Sequence, residues 1–309
     1  LVGAEMCIRD RLLPLVVFSQ DISKERIVNI VSTLASDEMK GRKFGTQEND
    51  RAAEYIASEF KKNSLDYCFG DSYLIPFEYK GKKGYNVCAI KKGKSQQSLA
   101  YSAHFDHIGT NNKEGDNIYN GADDDASGVA TVIGLADYFK DKKTDFSMVF
   151  MAFNAEEIGL VGSKALSENQ NLNPVFNNIK ALFNFEMLAT ESQFGKKTVF
   201  MTGDEFSDFD ELINANAVNG LKVYPDPYVG QQLFYRSDNV NFVKKKIIAH
   251  SISTVDMNKA THYHAVNDDI NIVDADNLTN IINNFTKTIE KLNTKNFQPK
   301  YNDKVKYDF

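Results

Sequence analysis

Residues 99–107 read Leu-Ala-Tyr-Ser-Ala-His-Phe-Asp-His, an apolar run that leads straight into His104, Asp106 and His107. A run this short, ended by polar groups, predicts a buried strand that presents those groups at its carboxyl end. Residues 149–157, Val-Phe-Met-Ala-Phe-Asn-Ala-Glu-Glu, and residues 181–186, Ala-Leu-Phe-Asn-Phe-Glu, repeat the pattern. Between these runs the apolar spacing turns helical, over 127–140 and around 158–168. Strand and helix in alternation predict an α/β fold: three layers, α/β/α, with a central mixed, mostly parallel sheet flanked by helices. In such sheets sites form beyond the carboxyl ends of the strands.

Outward from this centre the alternation continues. Ile27, Ile30, Val31 and Leu34 set a helical period behind a candidate Ser23 cap. A second helix runs from Thr46 to about Lys62. Strands are expected over 85–91, 98–104, 146–153, 198–202 and 247–251, and helices over 207–217 and 274–292. The Lys/Asn/Gln-rich end after Asn293 reads as a loosely held tail. Residues 9–20, RDRLLPLVVFSQ, resemble the end of a secretory signal peptide, the other reading being an N-terminal strand or arm. Residues 1–10 fit neither and read as non-native. The expectation is therefore a leader over 1–19, a single domain over 20–309, and a secreted or periplasmic protein.

The chain has 309 residues, 42% hydrophobic and 25% charged, which excludes disordered and fibrous classes. Lys and Arg number 36 against 42 Asp and Glu, and the longest basic block is Lys244–Lys246, so a nucleic-acid partner is not expected. The apolar run at 12–18 is too short to span a membrane. Cys7, Cys68 and Cys88 make no disulfide framework and no CxxC pair, so any metal must be held by histidines and carboxylates.

Three segments could do so. His104 and Asp106, two apart at a strand end, suit a ligating imidazole held by an outer carboxylate. Residues 121–128, Gly-Ala-Asp-Asp-Asp-Ala-Ser-Gly, crowd three like charges together, which calls for a cation or for a solvated helix N-terminus. Glu156 and Glu157 at one strand end can divide labour, one holding a metal and the other taking a proton from water. Glu186 ends another apolar strand, and Thr261-His262-Tyr263-His264 precedes Asp268. Of five histidines, four lie in these segments (His104, His107, His262, His264); His250 reads as a packed core residue.

The order HxD … GADDDASG … NAEEIGL … NFEM … YHxxxD resembles the co-catalytic di-zinc aminopeptidases of metallopeptidase family 28, the bacterial leucyl aminopeptidase type. The likeness runs from about Leu34 to about Asp274 and implies the zinc-exopeptidase, phosphorylase/hydrolase-like fold. Carried over position by position, it implies that Asp124 bridges two zinc ions, His104 and Glu186 hold one, and Glu157 and His264 hold the other. Asp106 would orient His104, Glu156 would be the general base, and Tyr263 could hydrogen-bond the oxyanion. Two departures stand out: Glu186, where aspartate is commoner, and Arg236-Ser237-Asp238-Asn239, where Ser-Asp-His is usual.

The resemblance implies an exopeptidase that removes N-terminal residues from peptides with a free amino end, through water activated by metal. Nitrogen and oxygen donors suit zinc, with manganese or cobalt as substitutes. Phe234, Tyr235 and Phe242 are expected to flank an apolar pocket, or else to pack in the core. The alternatives are a one-zinc glutaminyl cyclase, a carboxypeptidase or dipeptidase relative, and a non-catalytic binding ectodomain.

Overall fold

The computed structural model describes residues 21–307; the expectations for the leader and for Cys7 lie outside them. The main sheet has nine strands. They are β1 (Asp66–Tyr67), β2 (Leu74–Tyr79), β3 (Lys82–Lys91), β4 (Ser95–His104), β7 (Phe146–Phe153), β8 (Ile179–Phe185), β9 (Thr198–Met201), β10 (Lys222–Pro225) and β11 (Ile248–Ser253). Two short strands, β5 (Gly109–Thr110) and β6 (Ile118–Tyr119), form a separate ribbon. The order is β1-β3-β7-β4-β8-β11-β9-β10, with β2 also on β3. β7, β4, β8 and β11 run parallel in the centre, while β3 and β9 attach antiparallel on either side. The sheet is mixed with a parallel heart, as expected.

The helices are α1 (Lys24–Leu34), α2 (Gln47–Lys62), α3 (Gly128–Phe139), α4 (Val161–Glu168), α5 (Asn173–Phe176), α6 (Phe209–Asn216), α7 (Asn239–Val243) and α8 (Ala275–Leu292). Side-chain oxygens begin three of them: Ser23 accepts from Arg26 N, Thr46 from Asn49 N, and Asp274 from Asn277 N. β7 shows why two helical layers are needed, because every one of its residues is buried. Met148, Phe150 and Ala152 face one side, with Ile30, Ile56, Val132 and Phe285 from α1, α2, α3 and α8. Val149, Met151 and Phe153 face the other, with Leu166, Phe176 and Phe242 from α4, α5 and α7. The two-residue alternation of one strand thus feeds two separate apolar cores.

Two expectations are corrected. Cys68 and Cys88 are joined by a disulfide, Cα atoms 5.7 Å apart, tying the turn after β1 to β3. The tail after Asn293 is held down as far as Tyr301. Phe297 is buried in the core, and the Tyr301 hydroxyl accepts from Ala249 N at 2.9 Å and donates to Ile247 O at 3.0 Å. Aromatic anchors outweigh the polar composition around them. Strand β2, which contains Pro76, was not anticipated; proline fits it because the strand lies at the edge.

His250 is a core histidine, as expected. Its Nδ1 lies 2.8 Å from Thr202 O and its Nε2 2.8 Å from the Ser207 hydroxyl, so both nitrogens are used by the neutral ring. Burial pushes this imidazole down to about 4, against ~6.5 in an unfolded chain. Between those values the unfolded protein takes up a proton that the folded protein refuses. The His250 contribution is therefore whole above pH ~6.5 and is lost as the pH falls towards 4, about 3 kcal/mol in all. Urea unfolding from pH 7 to 4 should show a shallower loss of stability in His250→Gln than in the wild type; identical slopes would contradict this.

Candidate metal centre

The parallel register of β7, β4 and β8 sets three chain exits side by side. His104 closes β4 and pairs in register with Phe153, the last residue of β7. Glu156 and Glu157 follow within one turn, and Glu186 follows Phe185 at the end of β8. Asp124 arrives from the segment before α3, and His264 from the loop after β11. Distant parts of the chain thus meet at one edge of the sheet.

The five residues expected to hold metal come together. His104 Nε2 lies 3.1 Å from Asp124 Oδ1 and 3.2 Å from Glu186 Oε1. His264 Nε2 lies 2.9 Å from Glu157 Oε2 and 3.4 Å from Asp124 Oδ2. Asp124 therefore turns one oxygen to each histidine. A sixth residue joins them: His107 Nδ1 is 2.7 Å from Glu157 Oε1 and 3.8 Å from Asp124 Oδ2. Within His104, Asp124 and Glu186, and within His107, Asp124 and Glu157, one donor atom from each residue lies within 4.8 Å of the others.

The three adjacent aspartates divide their work. Asp123 accepts from Ala189 N at 2.7 Å and lies 2.8 Å from His262 Nε2. Asp125 accepts from Gly128 N and Met187 N, both at 3.0 Å. Of the three, the middle carboxylate is the one that meets His104, His107 and His264. Asp268 fixes the segment from outside by accepting from Asp123 N and Asp124 N. Gly128 leaves room for Asp125, since a Cβ there would lie 2.4 Å from its carboxylate.

Asp106 stands beside His104, as expected of an orienting residue: its main-chain carbonyl lies 3.1 Å from His104 Nδ1 and its carboxylate 3.8 Å away. That carboxylate also accepts from Glu156 N and Glu157 N, aiming the glutamate turn. Arg42, which sequence reading did not single out, is fully buried and donates to the carbonyls of Leu34, Phe105, Asn120 and Gly121. It binds the exit of β4 to the aspartate segment. Arg42 lies in a polar stretch with no periodicity to mark it.

The two departures from the family pattern also have places. Glu186 reaches His104 while its Oε2 accepts from the Ser237 hydroxyl at 2.7 Å. Asn239 locks the backbone, donating to Phe234 O and accepting from the Ser251 hydroxyl. The expected aromatic wall is corrected. Phe242 stacks in the core between Phe153 and Phe176, and Phe234 packs on Phe206 and His250. The cleft beside the cluster, about 580 Å³ including its mouth, is instead lined by Met187, Phe200, Leu233, Val255 and Met257. Glu156, Arg236 and Tyr263 also face it, and Tyr263 stacks on His264 with ring centres 4.1 Å apart.

The electrostatics fit a cation. Burial, with Glu186, Asp238 and Glu157 close by, holds the Glu156 carboxyl well above the usual carboxylate range. Burial also pushes Asp238 up to about 7. Hydrogen bonds to Asp124 and Glu157 raise His264 to about 10. Asp124 stays well below its ordinary range; burial opposes this, but His107, His104 and His264 prevail. His107 Nδ1 is paired with Glu157 Oε1 at 2.7 Å, while its Nε2 is buried without a hydrogen-bond partner among the described residues. An orphaned ring nitrogen beside mutually repelling carboxylates is the signature of a site completed by metal. The N/O donor set suits zinc.

A family model described as peptidase family M28 matches residues 86–289. A vacuolar membrane protease of Schizosaccharomyces pombe is 27% identical over 157 residues, 51% of this chain and 16% of that protein. The chain spans less than half the length of the first curated relatives it matches. Among solved structures, a zinc aminopeptidase from Bacillus subtilis superposes with a TM-score of 0.71 at 16% identity, covering 92% of this chain and 97% of that one. A glutaminyl cyclase from Bacteroides thetaiotaomicron gives 0.69 at 17% identity, covering 88% and 98%. At such identities these structures speak for the fold alone, the mixed sheet flanked by helices. The family model covers about two thirds of the sequence, and on that match the protein belongs to peptidase family M28.

Proposed function

We propose that the protein is a zinc-dependent aminopeptidase with a two-ion centre. The observation that carries this reading is Asp124, which turns one oxygen to each of two histidine–carboxylate groups beside an apolar cleft. His104, Asp124 and Glu186 would hold one zinc, and Asp124, Glu157 and His264 the other. Bound zinc supplies Lewis acidity, polarising the scissile carbonyl and acidifying water.

The rest falls to the chain's own groups. Glu156 faces the cleft without belonging to either histidine group, so its carboxylate is available to take a proton from the attacking water. A raised pKa makes Glu156 the stronger base towards that proton, which it then hands on to the leaving amine. Burial, Asp124 and Glu157 raise the Tyr263 hydroxyl, so it remains a donor at neutral pH and can hydrogen-bond the oxyanion. Asp106 keeps Glu156 and Glu157 aimed through their main-chain amides.

The first residue of a peptide suits the cleft in two ways. Met187, Phe200, Leu233, Val255 and Met257 offer its side chain an apolar wall, and the nearby carboxylates of Glu156 and Glu186 attract a free α-ammonium group. The Cys68–Cys88 disulfide supports a location in an oxidising compartment, secreted or periplasmic. No helix among the described residues is long and apolar enough to cross a membrane.

Aminoacyl-nitroanilides bearing leucine, methionine or phenylalanine should be cleaved faster than those bearing glycine or aspartate. Chelation should abolish turnover and zinc should restore it; cyclisation of an N-terminal glutamine instead of release would replace this reading. Glu156→Gln should keep its zinc by elemental analysis while kcat falls by about 10²–10⁴; full turnover would remove Glu156 from the base role. Asp124→Ala should lose metal from both positions, and a variant retaining two zinc ions would contradict the shared carboxylate. Met257→Asp should lower kcat/KM for the leucine substrate at least about tenfold, with zinc content unchanged.

A further inference from the structure

We infer that His107 is a metal ligand, a second imidazole for the ion held by Asp124, Glu157 and His264. The inference rests on the metal-binding reading above and adds a residue that the sequence pattern leaves without a role.

His107 is 1% exposed, and its Nε2 has no hydrogen-bond partner among the described residues. Other buried histidines are differently placed: both nitrogens of His250 are engaged, by Thr202 O and the Ser207 hydroxyl, each at 2.8 Å. His262 likewise meets Asp123 at 2.8 Å. The His107 Nδ1 pairs with Glu157 Oε1 at 2.7 Å. One donor atom each from His107, Asp124 and Glu157 lies within 4.8 Å of the others, a grouping that a shared cation would complete. An imidazolium paired to Glu157 would still strand Nε2 with no acceptor.

The backbone is shaped around this ring. Gly121 has φ +65°, and a Cβ there would lie 2.8 Å from His107 Cγ and 2.3 Å from Asp124 O. Only glycine lets the aspartate segment pass so close to the imidazole. The His264 ring stands 5.7 Å away at 67°, so the two rings approach the Asp124–Glu157 carboxylates from different directions.

The two positions are then unequal. One ion has His104, Asp124 and Glu186, while the other has His107, His264, Asp124 and Glu157 and is the more tightly held. Dialysis against a weak chelator should empty the His104 position first.

The test is proton NMR of the full-length protein loaded with two equivalents of Co²⁺, in which exchangeable ring N–H protons of ligating histidines are strongly shifted. Three such signals are expected, and His107→Ala should lose one of them. In the same variant the tighter of the two zinc dissociation constants, measured by chelator competition, should weaken by more than the ~10–100-fold typical of outer-shell changes. The weaker constant should hold. Two shifted signals in the wild type would overturn the assignment even if the variant failed to fold. Three undiminished signals in a folded His107→Ala would do the same. A wild type that binds no cobalt would overturn the metal reading and this inference together; two bound ions with only two signals would spare the former.

Discussion

Carboxylates buried near one another repel, and at this edge of the sheet that repulsion organises everything else. Asp106, Asp123, Asp125 and Asp268 are fully buried, but each is met by main-chain N–H groups of a neighbouring segment. Such bonds stabilise charge without requiring a counter-ion. Arg42 adds its positive charge from behind while binding four carbonyls. Asp124, Glu157 and Glu186 face mainly histidines, so the uncompensated charge collects where an ion can sit. A protein arranged this way gains stability on binding metal, because the folded state holds the ion and the unfolded chain does not.

Much of this was legible in the chain because strand ends and site residues coincide. The strand over 146–153 has the expected bounds, and the Ser23 and Thr46 caps lie where the helical period begins. Local periodicity and local capping suffice for such elements. Long-range partners are another matter. The Cys68–Cys88 pairing depends on how the turn after β1 lies on β3, which spacing cannot convey. Tyr301 becomes an anchor only because β11 offers it Ala249 N and Ile247 O.

The site shows the same division. His104, Asp124, Glu157, Glu186 and His264 were readable as an ordered pattern. The carboxylate of Asp106 was not readable as a brace for the glutamate turn, because sequence separates side-chain type from direction. Phe234 and Phe242 were open to reading as pocket walls or as core, and the structure gives core packing, with Phe242 buried on the short helix α7. The apolar side chains that do line the cleft are scattered between residues 187 and 257, with no local pattern. Glu186 illustrates tolerance: its longer side chain is steadied by Ser237 and still meets His104.

The sheet's margins carry a consequence of their own. Exposed strand edges offer unpaired main-chain groups onto which a second chain can add. Here β2 on one flank is six residues long and contains Pro76, while β10 on the other is four residues long and ends in Pro225. Each proline removes a donor from the ladder, and the cystine between Cys68 and Cys88 keeps the first flank from peeling away. Both flanks are thereby made poorer templates for strand addition.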